Sequence, residues 1–409
     1  MTMSCGNSKS AAESIRKRGR LAALLPVSLL AAGCQDYHGL VLNHESRRPV
    51  ANAVISHAGK AVRTNARGEF TLNRLNPGQP LGVKAPGFRP KQLNPAGQGN
   101  FKIELDPFEA RGLYLSYTAL GSPEVRERAM RLLDGERLNT LVLDVKDSQG
   151  RMTFFNSAPS AGQIGAFGGV KFDDLGAFIQ DLHRRKIYVV GRMAVFKDGL
   201  LAKHNPSWAA RSVGQPSNLW LDPFRREVNV YNLAVAKAAA AAVFDEIQFD
   251  YLRFPTTVEL PSAKYSRADT GENRAEAIES FINQAAQALA QSNVCLSLRL
   301  ESGGLWDQGR GGQRTTFIPG AVDYLAANVR KPAELRGLGM VLLAQPKRFR
   351  AYLEWQGQDP KGSSNRLQNL RLLVETGRFA GSSGWILCDP RDQLDCSLES
   401  IRTLAPTEE

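Results

Sequence analysis

The feature that most constrains the fold is a regular alternation of short apolar runs with longer helical patterns, which begins after Asp106-Pro107. Eight runs have the length and composition of buried strands, namely RGLYLSY, NTLVLDVKD, IYVVGRMAVF, DEIQFDYLRF, VCLSLRLES, AVDYLAANV, RFRAYLEW and GWILCD. Helix signals lie between them, such as Ser122-Pro123-Glu124, which pairs an N-cap residue with a proline at the first helical position. Eight strands alternating with helices over about 300 residues predict a (β/α)8 TIM barrel, an α/β fold. A doubly wound sheet is the alternative, but no glycine-rich phosphate loop follows the first strand.

The chain from Gly39 to about Leu105 has a different pattern, with short strand-like runs separated by turn signals such as Arg67-Gly68 and Pro86-Gly87. Because no helical period is present there, the segment predicts a small antiparallel all-β sandwich ahead of the barrel. We therefore expect three parts: a leader at 1–33, a β-sandwich at 34–106 and a TIM barrel at 107–409.

The leader has the pattern of a secretory signal peptide, with a basic cluster at 16–20 followed by the apolar run LAALLPVSLLAA, which is too short to span a membrane. The small residues at 31–33 directly before Cys34 resemble a bacterial lipobox, in which the cysteine is lipidated. Gln35 follows, and by resemblance to lipoprotein sorting this favours the outer membrane, facing the periplasm or the exterior. The alternative is a soluble secreted protein with an ordinary cleavage site.

Charge and cysteine content limit the class of partner. The formal net charge of +12 falls to near +8 without the leader, and no Lys/Arg stripe argues for nucleic acid. No Cys/His spacing resembles a zinc site, so we expect no metal and no cofactor. A disulfide between Cys388 and Cys396 would close the C-terminal loop, and the sequence leaves its formation open.

Polar side chains recur at the ends of the predicted barrel strands, where TIM barrels place their working residues. They are Asp144 and Lys146 after strand two, Arg192, Lys197 and Asp198 after strand three, Asp250 and Arg253 after strand four, and Arg299 and Glu301 after strand five. Trp208, Trp220 and Trp306 fall on strand-to-helix connections, where an indole can stack on a sugar. Acids with aromatic platforms indicate carbohydrate chemistry. The alternative is structural: Asp144 and Asp250 would pair with Lys146, Arg192 or Arg253 and hold loops.

Strand four is unusual because FDEIQFDYLRFP places acids on a buried strand. Alternation turns Ile247 and Phe249 to one face and Glu246, Gln248 and Asp250 to the other. A buried ionised group is costly unless it is paired or used. If Asp250 is kept for a ligand, Asp250→Asn should change the unfolding free energy by no more than about 1 kcal/mol, whereas a structural ion pair predicts a loss of about 3 kcal/mol.

Four blocks resemble successive motifs of a family of glycoside hydrolase-like bacterial barrels, distantly related to the α-amylase-like superfamily. They are LVLDVKDSQGRMTF, IYVVGRMAVFKDGLLAKHNPSWA, LWLDPFRREVNVYNLAVAKAAA and FDEIQFDYLRFP, and the match covers 111–255. The resemblance implies that Asp250 is the nucleophile or the stabiliser of an oxocarbenium-like state. The residues on the matching motifs that would line the site are Asp144, Lys146, Arg192, Lys197, Asp198, Asp222, Tyr251 and Arg253.

The N-terminal segment in turn resembles the carboxypeptidase regulatory-like family. The motifs that carry this resemblance are Gly39-Leu40-Val41, Thr64 with Gly68 and Phe70, Asn76-Pro77-Gly78, and Gly87-Phe88. Such modules usually act as spacers or adhesive units, so we assign it no catalytic residue.

The second half of the barrel departs from the hydrolase-like pattern. Relatives carry an acid inside strand five and a Met-x-Tyr-Pro-Ser-His block after strand six, whereas this chain has SLRLESGG and DYLAANVRKP. Arg299 stands near the expected acid, and Glu301, two residues later on the same face, is the candidate substitute.

These patterns support three hypotheses. The first is a lipid-anchored envelope glycoside hydrolase that acts on a polysaccharide, with Asp250 as nucleophile or base, Glu301 as general acid, and Arg192 and Arg253 keeping Asp250 ionised. The second is a barrel that has lost its acid and binds envelope glycan. The third is a structural lipoprotein whose β-sandwich makes partner contacts.

Overall fold

The computed structural model describes residues 35–75, 79–94, 99–135, 137–153, 162, 164–167, 175–290, 292–300, 311–314, 321–332, 334, 347–355, 363–379, 381–389, 391–393, 401 and 404. These residues belong to one compact unit that spans Cys34–Glu409. The predicted boundaries at 33 and 106 remain predictions.

The N-terminal part is β-rich and forms two sheets. Its seven strands are β1 (Gln35–Asn43), β2 (Val54–His57), β3 (Lys60–Arg63), β4 (Glu69–Leu75), β5 (Leu81–Lys84), β6 (Lys91–Leu93) and β7 (Gly99–Leu105). One sheet has the order β4-β1-β7 and the other β3-β2-β5-β6. Apolar side chains from both sheets, including Val41, Ile55, Leu72 and Val83, share one core. We call strands β1 to β7 the β-region.

One pairing in the β-region differs from the predicted antiparallel sandwich, because β1 and β7 run parallel. They are the first and last strands, so the whole intervening chain serves as the long crossover that a parallel pair requires. The predicted Arg67-Gly68 turn is present: Gly68 has φ +74°, and a Cβ there would lie 2.6 Å from the Val41 carbonyl oxygen.

The larger part is a closed barrel of eight parallel strands, which confirms the predicted fold class. The barrel strands are β8 (Ala110–Leu115), β9 (Thr140–Lys146), β10 (Tyr188–Ala194), β13 (Glu246–Asp250), β14 (Cys295–Leu300), β15 (Tyr324–Val329), β16 (Phe349–Glu354) and β17 (Gly384–Cys388). An antiparallel hairpin of β11 (Ala209–Ser212) and β12 (Gln215–Leu221) interrupts the connection after β10. This hairpin was not predicted as strand.

Seven helices are described. They are α1 (Tyr117–Gly121), α2 (Pro123–Leu133), α3 (Leu175–Arg184), α4 (Gly199–His204), α5 (Arg226–Ala241), α6 (Gly271–Leu289) and α7 (Ser363–Phe379). The predicted start of α2 is confirmed, since the Ser122 side chain accepts a hydrogen bond from the Val125 N–H and Pro123 occupies the first turn. In the described part of the chain, every helix is too short or too polar to cross a membrane.

Two apolar layers hold the barrel together. The larger one lies between the strands and the surrounding helices. The smaller one fills the barrel interior with side chains such as Val142, Tyr188, Ala326, Tyr352 and Ile386. Because the strands are buried on both faces, inward-pointing polar side chains lose solvent and need partners within the barrel.

Candidate active site

Strand β13 carries three inward polar residues, and the last of them lies at the carboxyl end of the barrel. Asp250 is 1% exposed. Its Oδ2 accepts hydrogen bonds from Arg192 Nε at 2.8 Å and Arg299 Nη1 at 2.6 Å. Its Oδ1 accepts one hydrogen bond, from the Tyr251 N–H at 2.7 Å. The two cations therefore converge on one carboxylate oxygen, and the other oxygen contacts only the backbone among the described residues.

Arg192 connects Asp250 to a second carboxylate. Its Nη2 lies 2.5 Å from Asp250 Oδ2, and its Nη1 pairs with Asp144 Oδ1. Asp144 also accepts hydrogen bonds at 3.0 Å from the Tyr114 hydroxyl and the Tyr117 N–H. One guanidinium from β10 thus joins the carboxylates that end β9 and β13, so the two acids are neighbours in space.

Arg299 extends the same cluster around the barrel. Its Nη2 donates to Asn328 Oδ1 at 2.7 Å, and its guanidinium lies 5.0 Å from the centre of the Tyr352 ring. Six strands therefore contribute polar side chains to one layer at the carboxyl ends of the barrel. We call this layer the mouth cluster, which comprises Tyr114, Asp144, Arg192, Asp250, Arg299 and Asn328.

The two acids of the mouth cluster differ in their titration. Burial by itself would raise the pKa of Asp250, but the guanidiniums of Arg192 and Arg299 outweigh it and hold this pKa well below its usual range. Burial raises the pKa of Asp144, and Arg192 offsets that effect only in part. Environments that push two neighbouring carboxyl pKa values apart are typical of acid and base pairs in hydrolytic sites.

Tyr251, directly after Asp250, has a strained backbone. Its φ of +50° lies in the left-handed region, which is uncommon for a bulky residue. The Lys197 ammonium lies 4.7 Å from the centre of its ring, and the Trp220 ring packs edge-on at 6.0 Å. Strain of this kind is concentrated at functional sites, where the surrounding structure has to hold it in place.

Three predicted site residues come together at the mouth cluster, and several others lie elsewhere. Asp144, Arg192 and Asp250 are in contact. Lys146 is fully buried outside the barrel interior, where its Nζ donates to Asp198 and to Asn232 on α5, each at 2.8 Å. A register shift in the β9–β10 pairing between Asp144 and Lys146 accounts for the difference, because a bulge turns the next side chain to the opposite face.

Arg253 was expected to keep Asp250 ionised, and its described ion pair is with a different acid. Its guanidinium pairs with both oxygens of Glu259, at 2.7 and 2.9 Å, and no contact with Asp250 is described. Arg299 supplies the second cation on Asp250 instead. Because Glu259 follows within six residues, Arg253 satisfies its charge inside its own loop.

The remaining predicted residues have structural contacts. Asp198 accepts a hydrogen bond from the Leu201 N–H and caps α4. Asp222 accepts hydrogen bonds from the backbone of Phe224 and Ser266 and so ties two loops. Trp220 is 2% exposed, so its ring forms part of a buried wall in this conformation.

Trp208 is partly buried and packs against the core. Glu301, Trp306, Cys34 and Cys396 lie outside the described residues. Cys388 forms no disulfide among the described residues.

Sequence reasoning missed Tyr114, Asn328 and Glu259. Tyr114 and Asn328 each sit near the end of a predicted strand, and period-two alternation with the neighbouring residues could have placed them inside the barrel. Nothing in the sequence near Glu259 distinguishes it from an ordinary loop acid. Among the described residues, no group of three or more His, Cys, Asp or Glu side chains could hold a metal ion.

Comparison with known proteins provides the family. A family model described as "Putative glycosyl hydrolase domain" matches residues 112–331, more than half of the 409 residues. No curated protein matches the chain.

The solved structures that are similar to the chain include the following three. A hypothetical protein from Ruminiclostridium thermocellum is 32% identical over 46% of this chain and 96% of its own length, with a TM-score of 0.40. The PgaB (BpsB) glycoside hydrolase domain from Bordetella bronchiseptica is 15% identical over 74% of this chain and 100% of its own, with a TM-score of 0.54. Alpha-L-fucosidase isoenzyme 2 from Paenibacillus thiaminolyticus is 13% identical over 73% of this chain and 48% of its own length, with a TM-score of 0.50. The last two likenesses concern the fold. The family model covers the barrel strands that carry Asp144, Arg192 and Asp250. Because this model matches more than half of the chain, the chain belongs to this glycosyl hydrolase domain family.

Proposed function

We propose that the protein is a glycoside hydrolase that acts on a polysaccharide, with Asp250 as the carboxylate at the reaction centre. The observation that carries the proposal is the position and state of this side chain. It lies at the carboxyl end of a barrel strand, two guanidiniums lower its pKa and favour its ionised form, and its Oδ1 accepts only the Tyr251 N–H among the described residues. Active sites of TIM-barrel enzymes lie at this end of the barrel.

The arrangement suits stabilisation of positive charge. Glycoside cleavage passes through an oxocarbenium-like state, which a permanently ionised carboxylate stabilises or traps as a covalent intermediate. Arg192 and Arg299 bind Oδ2 and so fix the carboxylate plane, while no cation among the described residues is bonded to Oδ1. In this role, the arginines position the acid and keep it ionised.

The reaction also needs a second carboxyl group to protonate the leaving oxygen. The sequence assigns this role to Glu301. Asp144 is the acid that the structure describes beside Asp250, and its raised pKa is in the direction that a proton donor requires. We therefore propose a carboxylate pair with Asp250 as the ionised member and either Glu301 or Asp144 as the acid.

Activity measurements on two variants test the proposal. Release of reducing ends is followed from a panel of neutral, N-acetylated and uronic acid polysaccharides. Asp250→Asn should lower kcat/KM by about a thousandfold or more. Glu246→Gln is the matched control, because Glu246 is a buried acid on the same strand that pairs with Arg350 at the opposite end. Equal activity of wild type and Asp250→Asn on every cleaved substrate would refute the assignment.

The second carboxyl group is identified by restoring the activity of acid-deficient variants with azide. Azide restores activity to a variant that lacks its acid when the substrate has a good leaving group. The first step then needs no protonation, and in the second step azide attacks the glycosyl-enzyme and displaces the Asp250 carboxylate without the general base that water requires. Rescue of Glu301→Gln but not Asp144→Asn would assign Glu301, and the reverse would assign Asp144.

A second candidate function is glycan binding without cleavage. It is favoured by the burial of Asp250, whose side chain is 2% exposed and paired with two arginines. Such an acid can serve as a structural anion in a barrel that only holds glycan. Binding of a polysaccharide that wild type does not cleave, unchanged in Asp250→Asn, would support this alternative.

We also propose that the protein is held in the bacterial envelope by a lipid on Cys34 and works at the outer membrane. The support is the basic cluster, the apolar run and the small residues before Cys34. Labelling of cells with an alkyne fatty acid should mark wild type and leave Cys34→Ser unmarked. Labelling of both proteins would refute lipidation at this cysteine.

A further inference from the structure

A second cavity lies at the other end of the barrel from the mouth cluster. It has a volume of about 1010 Å³ and is lined by residues of the β-region and of the barrel. On the barrel side, Arg111 is the second residue of β8, Asn139 directly precedes β9, and Lys347 precedes β16. These positions mark the amino-terminal ends of the strands. We call this cavity the basal crevice.

Positive charge predominates in the basal crevice. Its lining includes four cationic side chains and two carboxylates, namely Arg89, Arg111, Arg137 and Lys347 against Glu45 and Glu109. Glu109 is moreover neutralised from outside the lining by Arg378, whose Nε lies 3.1 Å from its Oε1. Among the described residues of the lining, cations therefore outnumber carboxylates.

Two of these guanidiniums are held in place with hydrogen-bonding capacity left over. The Arg111 backbone N–H donates to Asn139 Oδ1 at 2.8 Å, which fixes the residue, yet its Nε is buried with no hydrogen-bond partner among the described residues. Buried polar groups in native proteins are almost always paired. Arg89 stacks on the Phe108 ring at 4.5 Å and donates one hydrogen bond, to the Lys186 carbonyl.

The electrostatics of Arg89 favour an added anion. Burial lowers its pKa, and the carboxylates of Asp245 and Asp106 offset this only in part. A half-buried cation whose charge is incompletely compensated gains more from an added anion than a fully exposed one does.

The wall formed by the β-region is fixed to the barrel. Lys84 Nζ donates to Asp323 Oδ2 at 2.7 Å, and the Gly87 N–H donates to the Tyr324 hydroxyl at 3.1 Å. Gly87 has φ +83°, and a Cβ there would lie 3.0 Å from Lys347 Cβ. The close approach of the two parts therefore requires glycine, and the crevice is built into the fold.

We propose that the basal crevice binds an oligoanion, a ligand of the size of a short oligosaccharide that carries carboxylate or phosphate groups. Arginine forks match both groups in geometry and charge. The volume is in the range of protein sites for ligands of this size. This binding does not depend on hydrolysis at the mouth cluster.

Calorimetric titration of the full chain tests the proposal with three probes. They are trigalacturonate, tripolyphosphate and the neutral trisaccharide maltotriose. At low salt, one of the two anions should bind with a stoichiometry of one, and maltotriose should not. Binding of trigalacturonate alone assigns a carboxylated saccharide, and binding of tripolyphosphate alone assigns a phosphate ligand.

Variants locate the binding. Arg111→Gln and Lys347→Gln should each raise the Kd of the anion by about tenfold, because each removes one charge-assisted contact. Lys347 is exposed, so its variant tests the crevice even if Arg111→Gln does not fold. Lys237→Gln, which removes an exposed cation of α5, is the matched control and should bind like wild type.

Two outcomes would overturn the proposal. One is that neither anion binds below about 1 mM, or that maltotriose binds as tightly as they do. The other is that Lys347→Gln and a folded Arg111→Gln bind the anion like wild type, or no more weakly than Lys237→Gln does.

Discussion

Replacement of Asp250 by asparagine measures how much the mouth cluster contributes to the stability of the barrel. The substitution keeps the shape of the side chain and removes its charge. In wild type that charge faces Arg192 at 2.5 Å and Arg299 at 2.6 Å, and all three side chains are buried or nearly so. After the substitution, the cluster holds two guanidiniums against the single carboxylate of Asp144.

The size of the effect follows from what each arginine retains. Removal of one member of a buried ion pair costs about 3 to 5 kcal/mol, because it leaves a charge unpaired. Arg192 keeps its pairing with Asp144, and Arg299 keeps its hydrogen bond to Asn328 at 2.7 Å. We therefore expect a loss at the lower end of that range, about 3 kcal/mol at pH 7.

Urea unfolding followed by circular dichroism provides the measurement. For an unfolding slope of about 3 kcal/mol per molar, the midpoint should fall by about 1 M. The double variant Asp250→Asn/Arg299→Gln should recover part of the loss, with a coupling energy of at least about 1 kcal/mol. Glu375→Gln breaks an exposed pair with Arg371 and serves as the control, with a change below about 0.5 kcal/mol.

A change within about 1 kcal/mol for Asp250→Asn would refute the reasoning, because the two ion pairs would then contribute nothing net. In that case the acid would be kept for its ligand alone. A loss of about 3 kcal/mol is what the sequence argument assigned to a structural ion pair. The hydrolytic role would then depend on the activity measurements, since a carboxylate can be both paired and reactive. Activity is therefore measured without urea, at a temperature at which the variant is still folded.

Other groups give further expectations. Arg350→Met should lower the unfolding free energy by about 3 to 5 kcal/mol because it leaves buried Glu246 without its ion-pair partner. The double variant Arg350→Met/Glu246→Leu should recover much of this loss in the same urea assay. Burial alone would raise the pKa of Glu259, but hydrogen bonds from Arg253 and Thr256 lower it from 4.5 to about 2. The stability that Glu259 contributes is therefore complete above pH 4.5 and is lost as the pH falls towards 2. Glu259→Gln should accordingly flatten the acid side of a plot of unfolding free energy against pH. Cys388 is partly buried, and desolvation raises the pKa of its thiol to about 12. Iodoacetamide at pH 8 should therefore label it about a thousandfold more slowly in the native than in the unfolded chain, and similar rates would contradict the raised pKa.

The fold was predictable because its signals are local. Each barrel strand is a short apolar run, and the helix start at Ser122-Pro123 depends on residues adjacent in sequence. The inward direction of Asp250 followed from alternation along a single strand. These features require no knowledge of which strands are neighbours.

The contacts of the site were less predictable because they depend on register and on distant partners. A shift in the β9–β10 pairing separates Lys146 from Asp144, and alternation alone places them on one face. Arg299 is 49 positions from Asp250 in sequence, and only closure of the barrel brings it to that carboxylate. Arg253 lies three residues from Asp250 and nevertheless pairs within its own loop.

Strand β13 carries polar residues on a buried strand because each lies in a different layer of the barrel and has a partner on another strand. Glu246 pairs with Arg350 at the amino-terminal end, and Gln248 accepts a hydrogen bond from the Tyr352 hydroxyl at 2.7 Å in the middle layer. Asp250 occupies the layer at the carboxyl end, where barrel enzymes bind their substrates. The same pairing rule therefore applies along the whole strand, and position in the barrel distinguishes the acid that can meet a ligand from the acid that cannot. For this reason the comparison of Asp250→Asn with Glu246→Gln separates function from stability: both break a buried pair on one strand, and we expect only the first to abolish activity in the protein that remains folded.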